Sequence, residues 1–320
     1  MDRPSKLMSA EDAVAEFVHD GDIIYLGFGA TFTSFALAYE LIRQGKKDLD
    51  LIGGTPQPQL QQLLFHTGIC TRTRSGAIQG IRGAKPGPIW QKAEDGSFAF
   101  EDYSNLTCTL MMMAGALGMP FFPTRSILGT DFLKEENINH KHGFLGNEKL
   151  KVIQDPYTGK PVVALPAVNP GIAIWHAQRA DIYGNVQAWG MYADARWGLW
   201  AADRVVITVE EIVPTEVIRS DPNRTILPGP RVSAVVHQPY GGFPGELPGF
   251  YMQDGNLLRL APGSLDEYLA EWVYGCADHD EFLQRYVEKF GFHWFQGFFP
   301  KNKQQPIGTV DYGYRAVHDS

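Results

Sequence analysis

Apolar and polar positions alternate with two periods over the first seventy residues. Ser9 precedes AEDAVAEFV, in which Val14, Phe17 and Val18 share one helical face, and Asp12 stands where a capping box usually carries Glu. HDGD ends that helix. IIYL, Ile23 to Leu26, is a short unbroken apolar run, as expected of a strand buried on both faces. TSFALAYELIRQ predicts a second helix, with Gly45 at its C-terminal cap. LDLIGG predicts a second strand. QPQLQQLLFHTG predicts a third helix, with Leu60, Leu63 and Leu64 on one side. This β-α-β-α alternation predicts a parallel sheet.

The middle of the chain is less regular. SGAIQGIRGAKPGPIW predicts a strand followed by a loop, and NLTCTLMMMAGALGMP a helix ended near Gly118 and Pro120, with the methionine triplet in its core. Residues 124 to 160 are polar, with KEENINHKHG and DPYTGK as surface loops. Strand patterns return at PVVALP, GIAIWH, RVVITV and VSAVVH, and two late helices at SLDEYLAEWVYG and DHDEFLQRYVEKFG, the second capped by Asp278. The expected fold is α/β: an open, mainly parallel sheet flanked by helices, with a C-terminal helical extension. Residues 1–295 form one domain and 296–320 a tail.

Composition narrows the function. The 320 residues carry a net charge of -8, which does not favour nucleic acid or an anionic membrane as partner. There is no run of about 18 apolar residues and no hydrophobic signal core, so a cytoplasmic protein is expected. Cys70, Cys108 and Cys276 lie far apart and are read as reduced thiols. His140 and His142 are spaced H-x-H without a third ligand nearby, so no metal is expected. No G-x-S-x-G elbow is present.

YLGFGATFTSF raises the question of a dinucleotide site. Gly27 and Gly29 fit the first two places of G-x-G-x-x-G, but Phe32 stands at the third, and the second strand ends in Gly53-Gly54 instead of an acidic residue. Two glycine turns beyond the carboxyl ends of neighbouring strands predict a pocket lined by backbone N–H groups for a carbonyl or carboxylate. Tight strand-to-helix packing alone is the alternative. His176 ends GIAIWH and either points into the cleft or is a hydrogen-bonded core histidine. Asp181, Gly184 and Asn185 predict a turn. Glu210 and Glu211 end RVVITVEE, where one can pair with a cation or cap a neighbouring turn.

Four ordered segments carry a resemblance: DGDIIYLGFG; FEDYSN with the helix LTCTLMMMAGALGMPFFP; HAQRADIYGNVQAWG; and VEEIVPTEVIRSDPNRTILPGPRVSAVVHQPYGGFPG. Together, over roughly residues 8 to 290, they resemble family I coenzyme A transferases, specifically the α (A) subunit of glutaconate CoA-transferase-like enzymes. The resemblance implies a NagB/RpiA/CoA-transferase-like fold and ping-pong transfer of CoA between an acyl-CoA and a carboxylic acid. Coenzyme A is then a substrate, no cofactor is needed, and the partner is a β subunit in an α2β2 assembly. It places the nucleophilic glutamate on that β subunit, in a Ser-Glu-Asn-Gly motif. The nearest match here, Glu136-Asn137, lacks the Ser and Gly and falls in a polar loop. Substrate binding is expected at Gly27, Phe28, Gly29, Ala30, Thr31, Phe32, Gly53, Gly54, Ser75 and Gln79. Glu101, Asp102 and His176 are the weaker catalytic candidates.

The departures bear on substrate. The signature's Gly-Gly-Phe is here Gly27-Phe28-Gly29, followed by ATFTSFA, with no Lys or Arg between 26 and 42. A pocket with Phe32 and Phe35 would favour an apolar or bulkier acyl group over a dicarboxylate. A related branch, hydrolases that open CoA-linked steroid rings, places a basic glutamate where this chain has Ser104 or Asn105. That reading is the alternative.

Overall fold

The computed structural model describes residues 4–78, 98–134, 150–259 and 264–299. Helix α1 (Ala10–Phe17) begins at Ser9, whose hydroxyl accepts the Asp12 N–H at 3.0 Å. Strand β1 (Ile23–Tyr25), helix α2 (Phe35–Arg43), strand β2 (Leu49–Gly53) and helix α3 (Pro58–His66) follow the predicted alternation. Ser34 caps α2, and Gly45 takes φ +62° just past its end. Next come strands β3 (Cys70–Ser75) and β4 (Ala99–Asp102) and helix α4 (Asn105–Ala116). Ser104 and Thr107 form a reciprocal capping box at the start of α4.

The strand after α3 is the polar CTRTRS, just ahead of the segment 75–90 in which the pattern predicted one; residues 76–78 form no strand, and 79–90 lie outside the described residues. Hydrophobicity misses it because its inward side chains are polar yet partnered: Arg74 lies 2.7 Å from Asp50 on β2 and 3.4 Å from Glu101 on β4.

Strands β5 (Phe121–Thr124), β6 (Lys151–Gln154) and β7 (Pro161–Pro166) make a small antiparallel sheet in the order β5-β7-β6. Its first two strands lie where polar loop or helix end was expected. The remaining elements are β8 (Ile172–Ala180), β9 (Val186–Gln187), α5 (Ala195–Ala201), β10 (Arg204–Ile212), α6 (Thr215–Ser220), β11 (Thr225–Leu227) and β12 (Ala234–His237). Helix α7 (Leu265–Tyr268) continues as a π-helical turn over Leu269–Val273, and α8 (His279–Phe290) and α9 (Phe292–Gln296) close the described chain.

The main sheet runs β12-β10-β8-β1-β2-β3-β4, every neighbouring pair parallel. Ile172 and Ala173 of β8 face β1 on one edge and β10 on the other. Beyond the end of β1, the same edge of β8 takes the antiparallel β9. The chain builds outward in one direction from β1 and in the other from β8, so the topological switch point lies between these two strands. Helices α1 to α3 and the C-terminal helices cover one face, and α4 and α5 the other. Buried residues of β8, β10 and β1 form the core. Among the described residues no helix is long and apolar enough to cross a membrane.

Candidate functional site

In open α/β sheets a ligand sits beyond the carboxyl ends of the strands at the switch point. Here the ends of β1, β2 and β3 bring three glycine turns together. Gly27, at φ +92°, leaves β1 against the Trp175 ring, where a Cβ would stand 3.3 Å from Cδ1. The Gly29 N–H donates to the Thr55 carbonyl at 2.8 Å, tying the first turn to the second. The Gly54 carbonyl accepts the Gly76 N–H at 2.9 Å, tying the second to the third. Gly76 has no room for a side chain: a Cβ would meet Asn105 Oδ1 at 2.3 Å and the Asn105 nitrogen at 2.7 Å. Asn105 Oδ1 also accepts the Thr55 hydroxyl at 2.9 Å. Phe28, Gly29, Ala30, Thr31, Thr55, Gly76 and Asn105 stay partly or fully exposed along this rim.

Two expectations change at this point. The N–H groups of Gly29, Gly54 and Gly76 are all used within the chain, so these glycines do not present free donors to a ligand. They shape the rim by close approach instead. The rings of Phe32 and Phe35, expected to line an acyl pocket, are 1 % and 0 % exposed. Phe32 takes φ +60° and turns its ring inward to stack on Trp175 at 4.7 Å between centroids, while Phe35 packs edge-on to Tyr39. Both rings are buried away from the surface of this chain.

The loop between β1 and α2 is gripped from two sides. The His176 N–H donates to the Phe32 carbonyl at 2.8 Å, so the loop continues the edge of β8 where β1 stops. On the other side Phe32 N–H donates to Glu246 O at 3.2 Å, Glu246 N–H to Ala30 O at 3.0 Å, and the Thr31 hydroxyl to the Glu246 carboxylate.

His176 is fully buried. Its Nδ1 lies 2.8 Å from Thr208 Oγ1 and its Nε2 2.7 Å from Glu210 Oε1. Glu210 also accepts the Tyr240 N–H at 3.0 Å and the Tyr251 hydroxyl at 2.8 Å. Burial pushes the Glu210 carboxyl up, but these hydrogen bonds outweigh it and hold it below the usual carboxylate range. Glu210 therefore both pairs with His176 and caps the turn after β12. The expected Asp181–Asn185 turn is present: Asp181 accepts the N–H groups of Tyr183 and Asn185, and Gly184 has φ +86°.

Glu101 is 1 % exposed, bonded by the Tyr103 hydroxyl at 3.1 Å and beside Arg74; burial pushes its carboxyl up against the pull of both. Asp102 is exposed at the end of β4. Ser75 is buried and donates to the Ala77 carbonyl at 3.1 Å. Gln79, His140, His142 and Glu136-Asn137 lie outside the described residues, as do residues 300–320 of the tail expected from 296; Phe298 and Phe299, at its start, pack on Phe243 and Phe295. Ser104 is engaged in the helix cap and Asn105 in the rim. Among the described residues no group of three His, Cys, Asp or Glu side chains is placed to hold a metal.

Sequence reasoning missed Asp194. It lies 3 % exposed beneath the glycine turns, accepting the Tyr25 hydroxyl at 2.6 Å and the Gly54 N–H at 2.9 Å. Burial raises its carboxyl above the usual range, against these bonds. Its only sequence signal, an acid before a short helix, suggests a cap; the side chain makes no capping bond.

The chain is similar to known proteins over most of its length. The family described as coenzyme A transferase matches residues 7–238. The A subunit of glutaconate CoA-transferase from Acidaminococcus fermentans is 33 % identical over 298 residues, covering 88 % of this chain and 92 % of that protein. The crystal structure of that organism's glutaconate coenzyme A-transferase superposes with a TM-score of 0.83 at 32 % identity, covering 92 % and 96 % of the two chains. An uncharacterized protein of Archaeoglobus fulgidus is 37 % identical over 290 residues, 87 % of this chain; the match spans 62 % of that protein's length. A cholesterol ring-cleaving hydrolase subunit of Rhodococcus jostii is 28 % identical over 303 residues, 89 % of this chain and 96 % of that one.

Proposed function

This chain belongs to the coenzyme A transferase family, and from that premise we propose that it is the A subunit of an enzyme that moves CoA between an acyl-CoA thioester and a carboxylic acid, its glycine turns forming one wall of a cleft that a β subunit completes in an α2β2 assembly. The observation that carries this reading is the similarity to the A subunit of glutaconate CoA-transferase, which runs through nearly the whole of both chains. Of the carboxylates around the turns, Asp194 and Glu101 are buried and hydrogen bonded, Glu246 is partly exposed and holds the Thr31 hydroxyl, and Asp102 is exposed at the end of β4. The attacking carboxylate comes from the second subunit.

The chemistry balances in two exchanges. The partner's carboxylate attacks the thioester carbonyl, the CoA thiolate leaves, and a mixed anhydride forms. The thiolate then attacks the anhydride on the enzyme's side, releasing the donor acid and leaving an enzyme–CoA thioester. The acceptor carboxylate repeats both steps in reverse. Each passes through a tetrahedral oxyanion, for which one well-placed donor is worth roughly 2.7–4 kcal/mol. With the N–H groups of Gly29, Gly54 and Gly76 already bonded, the oxyanion donors come from the partner and from the rest of the rim.

Acyl-CoA and an acceptor acid are supplied to the purified chain alone and to the two-subunit complex. Acceptor-dependent formation of new acyl-CoA by the complex only is the expected result. Release of free CoA to water without an acceptor would replace this reading with the hydrolase one, which the similarity to the ring-cleaving hydrolase subunit keeps worth measuring.

A further inference from the structure

Glu246 brings a carboxylate to the loop between β1 and α2. Its main chain runs beside that loop as a parallel bridge, Thr31 opposite Glu246, with the Phe32 N–H donating to the Glu246 carbonyl and the Glu246 N–H to the Ala30 carbonyl. The approach is close: a Cβ on Gly245 would stand 2.5 Å from the Ala30 carbonyl oxygen. Residues 241–245 and Leu247 are buried, so Glu246 is the point at which this segment comes to the surface. One carboxylate oxygen accepts the Thr31 hydroxyl. The other accepts no hydrogen bond among the described residues and is not sealed from solvent.

Position decides what meets this open oxygen. Phe28, Ala30 and Thr31 lie partly exposed beyond the carboxyl end of β1, at the switch point between β1 and β8, where an open α/β sheet takes its ligand. An acyl-CoA carries phosphates at its nucleotide end, and a carboxylate repels them. That leaves the acyl end, the part that differs from one acyl-CoA to another. A second carboxylate on the acyl chain would there face a like charge. No Lys or Arg lies between residues 26 and 42 to offset it, and Glu246 forms no ion pair among the described residues. Two like charges repel more strongly as a closing cleft removes water between them. A hydroxyl in the same place would instead donate to the open oxygen, and hydrogen bonds to an ionised acceptor are the strong ones.

We infer that Glu246 sets acyl selectivity, turning away acyl groups that end in a carboxylate and taking those that end in a hydrogen-bond donor such as a hydroxyl; the inference rests on the transferase reading above. The two-subunit complex is assayed with valeryl-, δ-hydroxyvaleryl- and glutaryl-CoA, matched in chain length. The kcat/KM values should fall in the order hydroxyvaleryl, valeryl, glutaryl. Glu246→Gln keeps an oxygen for the Thr31 hydroxyl and the shape of the side chain, so the free chain should keep its urea midpoint. It should raise the glutaryl-to-valeryl ratio of kcat/KM by roughly 10- to 100-fold, and Glu246→Lys should raise it further. Added salt should raise the same ratio in the wild type and leave it flat in Glu246→Gln. An unchanged ratio in Glu246→Gln, from a complex that still transfers CoA, would overturn the inference and leave the transferase reading intact. A wild-type preference for glutaryl-CoA that Glu246→Gln weakens would overturn it as well. Where the complex releases CoA to water without transferring it, the transferase reading falls, and the ratio of hydrolysis rates reads the same selectivity: a shift in Glu246→Gln upholds the role of Glu246, and no shift overturns both.

Discussion

The carboxylate of Asp194 accepts the backbone N–H of Gly54 at 2.9 Å, while its other oxygen accepts the hydroxyl of Tyr25 at 2.6 Å. One buried acid thus joins strand β1 to the turn that ends β2, directly under the rim. Asp194→Ala leaves two buried donors without an acceptor. At about 1–3 kcal/mol each, it should destabilise the chain by about 3 kcal/mol. Asp194→Asn keeps one acceptor oxygen and should cost about half as much. Urea unfolding checks both, and transferase activity of the complex should fall in the same order because the Gly54 turn shifts.

Gly76 tests the close approach at the same rim. A methyl group there would meet main chain, the Asn105 nitrogen at 2.7 Å and the Gly54 carbonyl oxygen at 2.7 Å. Gly76→Ala must separate β3 from α4. It should cost about 1–3 kcal/mol and abolish most transfer, read from unfolding midpoint and initial rate of the complex.

The buried rings of the β1–α2 loop are expected to leave acyl selection unaffected. Phe35 is fully buried at the start of α2. Phe35→Leu should lower stability by about 1–1.5 kcal/mol and leave the ratio of kcat/KM between short dicarboxylyl-CoA and larger acyl-CoA substrates unchanged. A shift in that ratio beyond a few-fold would put the ring in contact with substrate.

His279 supplies a pH signature. Its ring is 2 % exposed, and burial pushes it down to about 4, beyond what its hydrogen bond to the Tyr240 carbonyl restores; Arg43 and His176 lower it further and Glu210 opposes them. The folded state holds the ring neutral where the unfolded chain, ordinarily near 6.5, takes a proton. The stabilising difference is complete above about pH 6.5 and is lost as pH falls toward 4, on the order of 3 kcal/mol across that window. His279→Gln should flatten this part of the stability–pH curve.

The legible part of the fold was the part written in apolar periodicity. The β1–α2–β2–α3 alternation, the strands β7, β8 and β10 with their apolar runs, and the Ser9 and Asp278 caps follow from local side-chain chemistry. Strand β3 did not, because its buried Arg74 is satisfied only by Asp50 and Glu101 on neighbouring strands, distant in sequence. The site was half legible. Gly27, Gly29, Gly53 and Gly54 marked its place, yet Asp194, which accepts the Gly54 N–H, arrives from far along the chain. Phe32 read as a pocket wall because sequence does not show that a positive φ turns its ring to Trp175. The methionine triplet read as core throughout, whereas Met111 and Met112 are buried and Met113 is only partly so.

The account depends on the nucleophile being absent from this chain. The two-subunit complex is incubated with acyl-CoA without acceptor, quenched in acid, and each polypeptide is weighed intact by mass spectrometry. CoA attached to the second subunit, with this chain unmodified and inactive alone, is the predicted result. A CoA adduct on any carboxylate of this chain would contradict it.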